Sequence, residues 1–154
     1  MRKIDLDAAP KGEGSRYPSP HDVACRARRW IKVGDAAALT QFGVNLVTLP
    51  PGAWSSQRHW HSHEDEFCWV LEGEVVLVTD AGEETLRRGD CAGFKAGDRD
   101  GHHFQNRSDA DVVMLVVGSR SDEDFGEYPD IDLKFVAGRY SGGGGFQRKD
   151  GTPV

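Results

Sequence analysis

Short apolar segments separated by tight turns run through most of the chain, and this spacing limits the folds open to it. Pro50-Pro51-Gly52 closes one segment, and Glu72-Gly73 divides a hairpin. Short strands at regular spacing, with almost no amphipathic helix between them, indicate a β-sandwich or β-barrel. We therefore predict an all-β protein with strands at residues 39–49, 53–61, 65–71, 74–79, 83–87, 91–95, 102–107 and 112–117.

The segments outside this block are less regular. Residues 23–33 fit a helical turn or a strand, and we favour the strand. Residues 131–136 alternate as an edge strand does, and the acidic run Asp122-Glu123-Asp124 reads as a solvated loop. The predicted organisation is an extended N-terminal arm at 1–22, a β-barrel at 23–138 and a glycine-rich C-terminal tail at 139–154.

Composition restricts the class of protein. A chain of 154 residues fits one domain with a proper core. The net charge of -6 and the pI near 5.5 argue against a nucleic-acid partner. No apolar run approaches the roughly 20 residues of a membrane-spanning helix, and the charged start lacks a signal peptide's apolar region. Three widely spaced cysteines fit reduced thiols, so we expect a cytoplasmic protein.

One ten-residue stretch, 58–67, carries three histidines and three carboxylates between two predicted strands. His59 and His61 lie two positions apart, so an extended backbone points both to the same face. Glu66 follows after four residues, which is enough to return on an adjacent strand. The downstream pair His102-His103 offers a third imidazole. This pattern predicts a metal site of three imidazoles and one carboxylate.

The same alternation predicts which side chains surround the site. Gln57 shares the face of the two histidines, and Cys68 shares the face of Glu66. If His102 points inward, Phe104 and Asn106 follow it, while His103 falls on the rim or outer face. The pocket would then combine a thiol, an aromatic ring and two amides, a typical small-molecule lining.

At these residues the chain resembles the cupin superfamily. The first cupin motif is a glycine, an HxH triplet, a glutamate and a second glycine, matched here by Gly52, His59, His61, Glu66 and Gly73. The second motif runs from a glycine through a turn to a histidine and an asparagine, matched here by Gly89, Gly97, His102 and Asn106.

The resemblance implies a single-domain jelly-roll barrel, the double-stranded β-helix, with His59, His61, Glu66 and His102 as metal ligands. His63 is the rival to His59, because His61-Ser62-His63 is a second HxH, but it leaves only two residues before Glu66. The chain departs from the motif at Lys95, which replaces a proline and adds a cation to the pocket near the barrel mouth. Arg99 stands in a lengthened loop beside it.

The ligand set suits one divalent transition metal ion, such as Zn, Fe, Mn or Ni, without choosing among them. The chain also resembles bacterial single-domain cupins that are loosely labelled sugar-phosphate isomerases. We therefore predict a metal-dependent protein acting on a small polar or anionic metabolite by isomerase or lyase chemistry. Two alternatives stay open, an Fe(II) dioxygenase and a non-catalytic binding module. The resemblance further implies a homodimer paired through edge strands.

Overall fold

The protein is built almost entirely from short antiparallel strands. The computed structural model describes residues 3–154. Within that range the strands are β1 (Lys11–Glu13), β2 (Arg29–Lys32), β3 (Phe42–Leu49), β4 (Glu66–Glu72), β5 (Glu74–Thr79), β6 (Gly82–Arg87), β7 (Cys91–Phe94), β8 (His103–Gln105), β9 (Val112–Ser119), β10 (Gly126–Tyr128), β11 (Leu133–Phe135) and β12 (Phe146–Gln147). The remaining regular structure in this range is a 3-10 turn (Val23–Cys25) and one four-residue helix, α1 (Val33–Ala36).

Two facing sheets enclose the main core. The large sheet has the order β1-β2-β3-β9-β4-β7, and the small sheet has the order β6-β5-β8. Alternate residues of each strand point between the sheets and bury one continuous apolar cluster. Leu49 and Met114 enter it from the large sheet, and Val75 and Phe104 enter it from the small sheet. This is the all-β jelly-roll barrel that the sequence predicted.

A second, smaller core lies beside the barrel. The strands β10, β11 and β12 form a separate sheet in that order. Tyr128, Leu133 and Phe135 are its buried residues, and Tyr17 and Phe146 pack against them. Because Tyr17 precedes the barrel and Phe146 follows it, this cluster joins both terminal segments of the chain.

Two glycines fix the path of the chain close to the residues that are predicted to bind a metal. Gly73 has a φ of +82° in the turn between β4 and β5, and a side chain there would meet the Asp111 carbonyl oxygen. At Gly126 the first strand of the second core passes so close to Trp60 that a Cβ would overlap the Trp60 carbonyl oxygen. Only glycine allows the two segments to approach this closely.

The structure confirms most predicted strands to within a few residues and corrects several predictions. Residues 53–61 form no strand and make only isolated bridges, at Trp54 and His59. Residues 23–33 divide into the 3-10 turn, β2 and the start of α1. β11 is the central strand of its sheet, not an edge strand. Within the predicted N-terminal arm, residues 11–13 form strand β1, which pairs with β2 of the same chain. Among residues 3–154, no helix is long and apolar enough to cross a membrane.

Candidate metal centre

The four predicted metal ligands lie together at one end of the barrel. His59 and His61 lie on the irregular segment before β4, Glu66 is the first residue of β4, and His102 immediately precedes β8. The backbones of His59 and His102 exchange two hydrogen bonds, of 3.2 and 2.9 Å. Ligand atoms of His59, His61 and Glu66 all lie within 4.8 Å of one another. Nε2 of His102 is 3.8 Å from Oε2 of Glu66, as is Nε2 of His61.

Hydrogen bonds on the far side of two imidazoles determine where their lone pairs point. Nδ1 of His59 lies 3.0 Å from the Gln57 carbonyl oxygen, and Nδ1 of His61 lies 2.7 Å from Oδ2 of Asp124. Both partners can only accept, so both Nδ1 atoms donate. In the neutral rings each Nε2 then carries a lone pair, and these two Nε2 atoms are 3.1 Å apart. Facing lone pairs at this distance repel unless a cation lies between them.

The third imidazole also has the surroundings of a metal ligand. His102 is 2% exposed, and neither of its ring nitrogens has a hydrogen-bond partner among residues 3–154. Its ring stacks flat on Phe94, with a centroid separation of 3.4 Å and an interplanar angle of 3°. A buried unsatisfied nitrogen costs about 1–3 kcal/mol, and a metal bond to Nε2 would remove that cost at this atom. The donor set of three nitrogens and one carboxylate is chemically suited to a divalent transition metal.

The charge states agree with a cation site. Burial, together with the neighbouring His61 and His102, lowers the pKa of His59 well below 6.5, so this ring is neutral at pH 7. Burial alone would raise the pKa of Glu66, but the surrounding imidazoles outweigh it and lower that pKa below its usual value. His59 therefore offers a neutral nitrogen donor and Glu66 an ionised carboxylate, which is the protonation state that metal binding requires of these two ligands.

A cavity of about 290 Å³ opens beside these ligands. Its wall is part aromatic and part charged, and consists of Trp60, His61, Glu64, Thr79, Gly93, Phe94, Lys95, Asp98, Asp100 and His102. Arg99 lies over the Trp60 ring at 5.2 Å, which adds a second cation near the mouth. Apolar walls with a few placed polar groups are typical of small-molecule sites.

The predicted pocket residues are distributed unevenly around this cavity. Lys95 lines it. Cys68 lies behind Glu66, and its thiol points to Oε1 of that carboxylate at 3.5 Å. Burial, followed by the charge of Glu66, raises the pKa of the Cys68 thiol well above 9.0, so the thiol is protonated. Phe104 is 2% exposed and belongs to the main core.

The two predicted amides are engaged elsewhere in the protein. The amide of Gln57 donates to the His21 carbonyl oxygen at 2.7 Å and ties down the N-terminal arm. The amide of Asn106 donates to the carbonyl oxygens of Leu49 and Ala110, both at 2.7 Å. Neither belongs to the cavity wall. The alternation rule misplaced them because it assumes continuous strands, whereas residues 53–61 form none and β8 ends at Gln105.

The other histidines of the sequence lie apart from the cluster. His63 is exposed, and its ring packs near Phe125 at a centroid distance of 6.0 Å. His103 is 3% exposed rather than on the rim, and its Nδ1 lies 3.0 Å from the Ser56 carbonyl oxygen.

The sequence did not predict the two buried carboxylates that lie behind His61. Asp124 is fully buried, not solvated, and binds His61 from 63 positions away. Glu64 is 6% exposed and accepts hydrogen bonds from the Tyr140 hydroxyl and the Ser121 amide. Arg139 contacts both carboxylates at 3.3 Å. No local pattern connects these residues, because their contacts arise only when the C-terminal segments fold against the barrel.

Comparison with known proteins agrees with this architecture. A family model described as a cupin domain matches residues 45–118. The chain is 47% identical to a sugar phosphate isomerase from a cupin superfamily of Silicibacter pomeroyi; the two structures superpose with a TM-score of 0.94 over 99% of this chain and 96% of that one.

More distant structures share the fold. A protein of Acidithiobacillus ferrooxidans, provisionally named a sugar phosphate isomerase, is 27% identical, with a TM-score of 0.75 over 83% of this chain and 80% of that one. A polyketide cyclase of Streptomyces resistomycificus is 20% identical, with a TM-score of 0.63 over 77% and 79%. No curated protein matches the chain significantly.

Proposed function

The chain belongs to the cupin superfamily, and from that premise we propose that it is a metal-dependent isomerase of a small polar or anionic metabolite. The observation that carries the proposal is the convergence of three imidazoles and one carboxylate beside a cavity that also holds Lys95. The relative from Silicibacter pomeroyi, named a sugar phosphate isomerase, supports a phosphorylated sugar as the first substrate class to test.

In this proposal His59, His61, Glu66 and His102 hold one divalent transition metal ion. A bound ion of this kind polarises a carbonyl or hydroxyl oxygen and eases removal of a neighbouring proton. Lys95 attracts the anionic group of the substrate to the cavity mouth. Trp60 and Phe94 form apolar walls that exclude water from the bound ligand. The three free cysteines support a reducing, cytoplasmic setting.

The test combines metal analysis with a substrate screen. Tag-free protein prepared without chelators should carry about one divalent ion per chain. It should interconvert an aldose or ketose phosphate equally well with and without O2. The His61→Ala variant should lose both properties. Strict dependence on Fe(II) and O2 would replace the isomerase by a dioxygenase, and ligand binding without turnover would leave a binding module.

The same family membership leads us to propose a homodimer, but through a sheet face rather than through edge strands. Antiparallel sheets usually present polar residues on their solvent face. Here the outer face of the large sheet is apolar across neighbouring strands, where the paired residues are Leu46, Leu115 and Trp69 in one row and Val44, Val117 and Phe67 in the next. Trp69 is 44% exposed and Phe67 is 40% exposed.

The size of this face supports a second copy of the chain as its partner. The six strands of the large sheet cover roughly 540 Å² at the usual strand spacing and rise. Two copies would then bury roughly 1,100 Å² in total, just above the roughly 1,000 Å² that a specific interface needs. Two such faces can pack as the sheets of a sandwich do. Sedimentation at about 10 μM should give a dimer, and Trp69→Glu should give a monomer, whereas Thr85→Lys on the small sheet should not. A monomeric wild type would contradict the proposal.

A further inference from the structure

A chain of hydrogen bonds links the metal centre to a residue outside the barrel. Asp124 is completely buried and accepts hydrogen bonds from Nδ1 of His61 at 2.7 Å and from the His63 backbone amide at 2.9 Å. The guanidinium of Arg139 approaches the same carboxylate oxygen that His61 uses, at 3.3 Å. Arg139 therefore lies behind His61, one residue removed from the imidazole itself.

The second arm of Arg139 reaches the other buried carboxylate. It lies 3.3 Å from Oε2 of Glu64, and that oxygen is 3.9 Å from Nδ1 of His61. Ligand atoms of His61, Glu64 and Asp124 lie close enough together to hold a cation. Arg139 already supplies the positive charge between the two carboxylates, so this second group does not require an ion.

We propose that Arg139 is a positioning residue for the metal centre. By bridging Asp124 and Glu64 it keeps the Asp124 carboxylate aimed at Nδ1 of His61, which leaves Nε2 of that imidazole free for the ion. This inference rests on the metal-dependent function proposed above. It adds that metal affinity depends on the C-terminal tail, although all four ligands belong to the barrel motifs.

The surroundings of Arg139 explain why it can do this without being buried itself. Its side chain is 31% exposed, and its guanidinium lies over the rings of Phe135 and Tyr140 at 5.0 and 5.9 Å. Phe135 also packs against the His61 ring, with centroids 5.2 Å apart. The planar guanidinium can bind two carboxylates at once, which the single ammonium of a lysine does less well. Direct hydrogen-bond partners of a metal ligand, as Asp124 is of His61, typically change metal affinity about 10- to 100-fold. Arg139 acts through Asp124, so we expect its effect at the lower end of that range.

Titration of the metal-free protein with Co(II) provides the test. We expect Arg139→Ala to weaken Co(II) binding about tenfold and Arg139→Lys to weaken it less. Arg148→Ala is the matched control, because Arg148 belongs to the same tail and its side chain contacts Asp132 at the surface, at 3.7 Å. Its affinity should stay within about twofold of the wild type.

The visible spectrum of bound Co(II) separates positioning from simple support of the fold. A changed spectrum in Arg139→Ala, on protein that is fully folded by circular dichroism, would show altered ligation at the ion. An unchanged affinity and spectrum would overturn the proposal, even if the melting temperature of the metal-free variant fell. Binding of a second ion by Arg139→Ala, with the first unaffected, would also overturn it, because Arg139 would then exclude a cation rather than orient His61.

The same titration distinguishes failure of this inference from failure of the proposed function. If wild-type protein binds no Co(II), the metal-dependent function itself is wrong. If the wild type binds one ion and the Arg139→Ala and Arg139→Lys variants bind it equally well, only the positioning role of Arg139 is wrong.

Discussion

The two sides of the metal centre are supported in different ways. On the strand side, Glu66 and His102 are held by the barrel, and within the described part of the chain the His102 imidazole has no hydrogen-bond partner. On the terminal side, the Nδ1 atoms of His59 and His61 are both hydrogen-bonded. The terminal side is also backed by the second core, which the ends of the chain complete. The barrel therefore presents His102 without a hydrogen bond to its ring. In the irregular segment before β4, by contrast, His59 is held by Gln57 of the same segment and His61 by Asp124 from a distant one.

The largest expected effect tests whether both sides serve one ion. His61→Ala removes a nitrogen that lies 3.1 Å from His59 and 3.8 Å from Glu66. We expect the affinity for a divalent ion to fall by more than the roughly 100-fold that loss of an outer-shell partner can cost, since a metal bond itself is lost. His63→Ala is the control and should bind nearly as well as the wild type in calorimetric titration. If His63→Ala lost the affinity and His61→Ala kept it, the assignment of the metal ligands to His59 and His61 would be wrong.

The metal-free protein should distinguish the two sides by stability. His61→Leu removes the imidazole donor of the buried Asp124 carboxylate but leaves the His63 amide and Arg139 in place, which should lower the free energy of unfolding by about 2 kcal/mol. His102→Leu removes two unsatisfied nitrogens and keeps an apolar contact with Phe94, so the free energy of unfolding should stay level or rise by about 1 kcal/mol. Urea denaturation of both variants measures this. Equal losses would mean that the two imidazoles are supported alike.

Acidification should weaken the metal-free fold through His59. Burial, with the neighbouring His61 and His102, lowers its pKa well below 6.5, while the Glu66 carboxylate opposes this only in part. Below pH 6.5 the unfolded chain therefore binds a proton that the folded protein does not. The free energy of unfolding should fall with pH by at most about 1.4 kcal/mol per unit from this group.

Burial also lowers the pKa of His103 below 6.5, so a His59→Asn variant is needed to isolate the contribution of His59. Denaturation curves between pH 7 and pH 5 should give a shallower pH dependence for His59→Asn than for the wild type. Identical slopes would show that His59 takes up its proton in the folded state as readily as in the unfolded chain.

The smallest effect concerns ligand charge rather than the metal. Lys95 lines the cavity, is exposed, and is not a metal ligand. Lys95→Met should keep metal affinity within about twofold, yet weaken binding of inorganic phosphate to the metal-loaded protein about fivefold, because an exposed charge contributes about 1 kcal/mol. Lys32→Met, remote in the large sheet, is the control. Phosphate binding that is unchanged in Lys95→Met would argue against an anionic substrate group at this position.

The sequence was most informative where a structural period is short. Alternation over two residues predicts β3, β4, β5 and β9 closely, and motif spacing brings His59, His61 and Glu66 together. Both patterns fail to predict contacts that depend on distant segments of the chain. The burial of Asp124 and the reach of Arg139 require the second core to fold against Trp60, which depends on the close approach at Gly126. The strand predicted at residues 53–61 is wrong for a related reason, since bends at 55–58 and isolated bridges to residues 102 and 105 determine the path of this segment rather than a sheet ladder.

The most direct test of the account is a crystal structure of the metal-loaded protein, with anomalous data collected at the absorption edge of the ion. We predict one peak per chain within about 2.0–2.3 Å of the Nε2 atoms of His59, His61 and His102 and of the Glu66 carboxylate. A peak among His61, Glu64 and Asp124 instead, or no peak after saturation with the ion, would contradict it.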